Sequence, residues 1–192
     1  MLSALLGCLQ LAGTDLLKAQ DKLPEPVLFL DEGEEYTYFR GTEEPPVDWN
    51  TLEFDDFDWE VGNSGFGYGD VDDNTIIDDM QNSYLSIYIR KFINIDDLGA
   101  INFIQLGMRY DDGFIAYLNG QRVADANAPR IAGWTSQATG PHDDGAAIRY
   151  ENFPISEHIG KLQKGVNILA IHGLNTSPES SDLLISPELR AS

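Results

Sequence analysis

From residue 27 onward the chain repeats one pattern. Short runs of β-branched, aromatic and aliphatic residues are broken every few positions by clusters of Gly, Asp, Asn and Pro. Apolar residues nowhere keep a helical spacing for long, so the pattern predicts an all-β domain. Tyr36 to Phe39 reads as a first strand. Tyr84 to Ile95 alternates Leu85, Ile87, Ile89 and then Phe92 with polar neighbours, which predicts one long strand with a bulge at Lys91. Ile101 to Tyr110 is apolar on both faces, and two faces needing cover point to an antiparallel sandwich of two sheets. Phe114 to Leu118 and Gln121 to Ala126 flank Asn119-Gly120, the signal of a type I′ hairpin, because both central positions need positive φ. Ile148 to Phe153, Val166 to Leu174 and Leu183 to Ile185 supply further strands, and Ser156 is expected to cap a helical turn reaching Ile159.

A length of 192 residues suits one core, here assigned to residues 27–192, with residues 1–26 as a separate segment and linker. Hydrophobic residues make up 42% of the chain, enough to bury an interior and to exclude wholesale disorder. The sequence has no run of 18 apolar residues, so it encodes no membrane-spanning helix. With 32 acidic against 12 basic residues the net charge is -20. Such a field repels phosphate backbones and argues against nucleic acid as a partner. It favours divalent cations, since carboxylates this dense must be solvated, paired or metal-bound. An acidic solubilising surface is the plainer reading of the same charge.

Two readings of the N-terminal segment stand. Leu5-Leu6-Gly7-Cys8 looks like a bacterial lipoprotein processing box, yet no Lys or Arg precedes the apolar run, and Gly7 and Gln10 interrupt it. Alternatively, Leu2, Leu5, Leu6, Leu9, Leu11, Leu16 and Leu17 form one face of a short amphipathic helix ending near Lys18 to Lys22. Cys8 is the sole cysteine, so no intramolecular disulfide forms and the redox compartment stays open.

Gly41 to Asn82 and Asn127 to Ala147 read as two irregular segments far longer than ordinary connections, and such segments are functional or pinned by metal. In the first, Trp49, Phe54 and Trp59 alternate with aspartates, which tucks rings under the loop while carboxylates stay wet. Gly65-Phe66-Gly67-Tyr68-Gly69 has glycines at alternate positions, where backbone can cross closely over a neighbour. An Asp-rich turn follows instead of a helix, so this is no dinucleotide fingerprint. The sharpest chemical cluster is Asp70, Asp72 and Asn74, whose spacing aims three oxygen side chains at one point, as calcium requires. Thr75 and Gln81 stand where an EF-hand needs Gly and Glu, so it is not an EF-hand. A metal-free acidic turn is the alternative. Asp78-Asp79 and Asp111-Asp112 could complete a site from elsewhere in space. His142, His158 and His172 share no metal-ligand spacing and no nucleophile elbow is present, while paired carboxylates for glycoside hydrolysis stay open, because only their distance decides.

Three segments together carry a resemblance: Tyr110-Asp111-Asp112-Gly113 running to Asn119-Gly120, Gly165-Val166-Asn167 running to Asn175, and Ser180-Ser181-Asp182 running to Leu189. With the upstream Phe54 to Trp59 and Gly65 to Gly69 segments they resemble the galactose-binding-domain-like β-jelly-roll modules of large bacterial secreted proteins. The chain is similar to the non-catalytic jelly-roll domains of multidomain glycosidases, and to modules found beside lamin-tail and spore-coat-kinase-like domains. The resemblance implies a jelly-roll sandwich, often holding a structural calcium, that acts as a non-catalytic carbohydrate-binding or assembly module. It also implies a secreted or cell-surface location.

A sugar stacks its apolar face on a ring while its hydroxyls take hydrogen bonds. Trp134, with His142 and Asp143 nearby in sequence, is therefore the candidate platform for a glycan or polysaccharide, unless it caps the core instead. Tyr68, Arg149 and Asn175 are further candidates. An anionic polysaccharide is disfavoured by the charge unless calcium bridges it. Two other functions compete: a calcium-stabilised structural or protein-interaction module within a larger protein, and an accessory domain of a glycoside hydrolase.

Overall fold

The computed structural model describes residues 27–71 and 73–192; the N-terminal segment with Cys8, and Asp72, lie outside the described residues. The strands in chain order are β1 (Val27–Leu30), β2 (Glu35–Arg40), β3 (Glu60–Asn63), β4 (Phe66–Tyr68), β5 (Thr75–Ile76), β6 (Ser86–Ile95), β7 (Ile104–Asp111), β8 (Gly113–Leu118), β9 (Gln121–Ala126), β10 (Glu151–Pro154), β11 (Gly165–Leu174) and β12 (Leu183–Ala191). One helix, α1 (Asp144–Ala147), and two short 3-10 turns complete the described residues.

The strands form two six-stranded sheets, as the doubly apolar Ile101 to Tyr110 stretch requires. The first sheet runs β10-β7-β12-β4-β5, with β1 also against β12; the second runs β3-β2-β6-β11-β8-β9. Every pairing is antiparallel except that of the short β4 and β5, which is parallel. Alternate residues of each sheet face inward. Ile87, Ile89, Phe114, Leu169 and Ile171 of the second sheet share one buried cluster with Phe66, Leu106, Met108 and Ile185 of the first.

Asn119 and Gly120 adopt φ of 48° and 82°, the two positive values the hairpin turn demands. Gly67 and Gly69 are required for close approach: a Cβ on Gly67 would lie 2.0 Å from the Leu183 carbonyl oxygen, and one on Gly69 would lie 2.6 Å from that of Ser181.

Strand β1 precedes the stretch from Tyr36 that was expected to be the first strand, and four further expectations change. Strand β6 pairs with β11 in unbroken register from Ile95 opposite Gly165 to Ser86 opposite Leu174, so Lys91 carries no bulge in that ladder. Strand β12 continues past Ile185 through Pro187. Its residues 183–185 pair with β4 and 189–191 with β1, so Pro187 stands in the gap where that edge has no ladder to lose. Ser156 does not cap its turn; its hydroxyl donates to the Ile104 carbonyl and accepts from the Ile104 amide. Finally, the segment read as irregular between Gly41 and Asn82 contains β3, β4 and β5.

Candidate functional site

The ends of β7 and β12 meet at the first of two chemically loaded places. Asp111 closes β7 opposite Leu184, Asp182 immediately precedes β12, and Asp144 opens α1, which is capped by the Asp143 carboxylate accepting from Ala146 N. One carboxylate oxygen from each of Asp111, Asp144 and Asp182 lies within 4.8 Å of the others. Asp111 is 5% exposed, and its pKa is pushed up to about 8. Burial is the largest cause, followed by the hydrogen bond and charge of Asp112 and the charges of Asp182 and Asp144.

Asp112, across a cis peptide from Asp111, is held by its surroundings. Its Oδ2 accepts from Thr176 N at 2.8 Å and Thr176 Oγ1 at 2.5 Å, and its Oδ1 accepts from His142 N at 3.3 Å. Tyr68 lies close enough that Asp182, Asp112 and Asp111 add to the burial that raises its pKa. The Tyr68 hydroxyl donates to the Ser180 carbonyl at 2.9 Å and accepts from Asn175 Nδ2 at 2.8 Å. Asn175 Oδ1 is buried with no hydrogen-bond partner among the described residues.

The second place is on the outer face of the second sheet. Tyr88 of β6, Tyr117 of β8 and His172 of β11 alternate with core residues and so point away from the core. Trp49 packs across them, its ring 4.8 Å from Tyr88 and 5.5 Å from Tyr117, both edge-on, and Trp59 stacks behind it at 6.5 Å. Arg90 pins this loop to the sheet. It is 1% exposed and donates from Nε to Asp56 at 2.8 Å, from Nη1 to the Thr51 and Trp49 carbonyls, and from Nη2 to the Phe54 carbonyl. Trp134, half-buried, reaches over from the 127–147 segment and encloses a hollow of about 160 Å³ with Trp49, Tyr88, Tyr117, His172 and Glu44.

The floor of this hollow is polar. The His172 Nε2 shares a 2.8 Å hydrogen bond with Ser86 Oγ, and burial pulls the imidazole pKa down to about 3, so the ring is neutral. Neither His172 Nδ1 nor the Tyr117 hydroxyl has a hydrogen-bond partner among the described residues.

The candidates read from the sequence therefore divide. Tyr68, Asn175, His142 and Asp143 gather around the acidic cluster, while Trp134 lies in the aromatic hollow, which neither His142 nor Asp143 lines. His142 instead stacks on Tyr110 at 4.1 Å and bonds Glu151 Oε1 at 2.9 Å. Arg149 is exposed just beyond α1. In the acidic turn, Asn74 Nδ2 donates to the Ser64 carbonyl at 2.7 Å, and Asp70 follows Gly69, which packs against Asp182. Asp79 pairs with Arg40 and accepts from the Tyr84 hydroxyl at 2.9 Å. Asp144 and Asp182 were not legible as partners of Asp111, nor Trp49, Tyr88, Tyr117 and His172 as neighbours of Trp134, because each set is joined only by the strand order.

The sequence matches no protein-family profile and no curated protein. The fold does match solved structures. It resembles a calcium-binding mutant of Bacteroides uniformis beta-glucuronidase 2 with a TM-score of 0.54 and 14% identity, over 87% of this chain and 18% of that one. A glycosyl hydrolase family 2 member from Bacteroides cellulosilyticus gives a TM-score of 0.52 at 14% identity, covering 83% of this chain and 20% of that chain. A Bifidobacterium dentium beta-glucuronidase gives 0.51 at 13%, over 79% and 20%. The shared feature is the fold, a β-sandwich, and this chain spans only about a fifth of each of those proteins.

Proposed function

We propose that the chain is a non-catalytic carbohydrate-binding module of a secreted or cell-surface protein, an accessory domain of the kind glycoside hydrolases carry, stapled by calcium. The hollow over the second sheet carries this reading. It is lined by Trp49 and Trp134 together with His172, Tyr117 and Glu44, which is the mixture of ring and polar group that a sugar needs. Profiling the full chain against immobilised neutral and acidic glycans tests it. Neutral glycans are expected to bind, and Trp134→Ala to weaken them about tenfold or more, as loss of an aromatic anchor does. Retention of no glycan would favour the interaction-module reading, which the exposed Val61 and Ile76 on strands β3 and β5 support.

Calcium belongs to the acidic cluster. Oxygens about 2.4 Å from one ion lie at most about 4.8 Å apart, which is the spacing Asp111, Asp144 and Asp182 already have. Three carboxylates, one of them buried, are costly together without a cation. Asp70 follows Gly69, which packs against Asp182, and with its sequence neighbours Asp72 and Asn74 is the proposed source of further oxygen ligands.

A further inference from the structure

Trp134 stands against two hollows. The first, of about 160 Å³, is the aromatic one; the second, of about 190 Å³, is bounded by Thr42, Ser83, Tyr84, Thr135 and Pro178. The same two stretches of chain bank both. Residues 41–42 border the second hollow and 44–47 the first, while facing them Thr135 borders the second and Ala132 and Gly133 the first. The two hollows thus lie side by side along the same two stretches, with Trp134 as their common wall. Each alone is smaller than the about 300 Å³ at which small-molecule sites begin, and together they reach it.

We propose that the two hollows form one cleft with two sugar subsites sharing Trp134, and that its ligand is a neutral oligosaccharide segment at least two sugars long. The inference rests on the glycan reading above. The chemistry of the walls supports it: hydroxyls of Thr42, Ser83 and Thr135 line the second hollow, and His172, Tyr117 and Glu44 line the first. Neither hollow is lined by Lys or Arg, so the carboxylate of an acidic sugar would find no cation there and would meet Glu44 and a chain of charge -20. A single sugar would occupy one hollow and leave the other unfilled.

Calorimetric titration of the full chain with the mono-, di- and tetrasaccharides of the β-1,4-linked glucan, xylan and mannan series tests the inference. In the best series the disaccharide and tetrasaccharide are expected to bind about tenfold or more tighter than the monosaccharide. Ser83→Trp and, separately, Thr42→Trp place an indole in the second hollow from exposed positions. Either should bring the tetrasaccharide-to-monosaccharide ratio down to about one. Equal affinity of monosaccharide and tetrasaccharide, or a ratio untouched by both plugs, overturns the two-subsite inference and leaves a single-sugar site standing. Absence of binding in all three series defeats the cleft and, with the array result, the glycan reading itself.

Discussion

Asp111 is held against its own charge, and the sign of the consequence follows from linkage. Its folded pKa of about 8 lies above the ordinary carboxylate value, so between the two the folded state binds more protons than the unfolded state. Its contribution to stability is therefore full at pH values below about 4 and is lost as pH rises towards 8. In EDTA the melting temperature should fall from pH 5 to pH 8, and Asp111→Asn should flatten that fall. At pH 8 the substitution should raise the metal-free melting temperature, by about 2–4 °C for each kcal/mol of repulsion relieved. In calcium its sign reverses, because the asparagine takes a charged ligand from the ion. A variant as pH-sensitive as the wild type in EDTA would show that Asp111 is not the strained carboxyl.

Among elements, the 41–59 loop shows what the sequence displayed and what it hid. Trp49, Phe54 and Trp59 were legible as tucked rings, whereas Asp56, expected to stay wet with the other aspartates of that stretch, is buried against Arg90. The short strands β3 to β5 were not, since two to four residues carry no period. Arg90 was hidden as well: nothing in an apolar run announces that its one arginine will meet three loop carbonyls and Asp56. The acidic site was obscured for another reason. Asp70, Asp72 and Asn74 are close in sequence and so looked sharper than Asp111, Asp144 and Asp182, which only the strand order unites. Removing one side of a buried ion pair costs about 3–5 kcal/mol, so Arg90→Met should be strongly destabilising. Brief proteolysis at a temperature where the variant remains folded should cut between Gly41 and Trp59 before any core strand. Lys91→Met, which loses an exposed pair with Glu34, should change stability by about 1 kcal/mol or less and leave that loop resistant. Equal resistance in Arg90→Met would mean that ring packing alone holds the loop.

Over the whole molecule, a net charge of -20 allows two kinds of response to cations, and they differ in form. Diffuse self-repulsion is relieved by any salt as the screening length shrinks from about 10 Å at 0.1 M to about 3 Å at 1 M. That response is gradual and indifferent to which cation is added. A site saturates instead, and an ion bound only by the folded state adds about 2.7 kcal/mol at one hundred times its Kd. For a domain of this size that is roughly 5–10 °C. Magnesium separates the two further, because it demands near-octahedral geometry and keeps its waters, whereas calcium accepts irregular carboxylate sets. At fixed ionic strength near physiological, millimolar calcium should therefore raise the melting temperature by several degrees and saturate, while magnesium should do little. Asp182→Asn should abolish the calcium increment without altering the response to sodium chloride, since one charge among 32 acidic residues barely changes the diffuse field. If calcium, magnesium and ionic-strength-matched sodium chloride act alike, the acidity is a property of the surface as a whole, and the Asp111, Asp144 and Asp182 cluster is held together by protonation instead of metal.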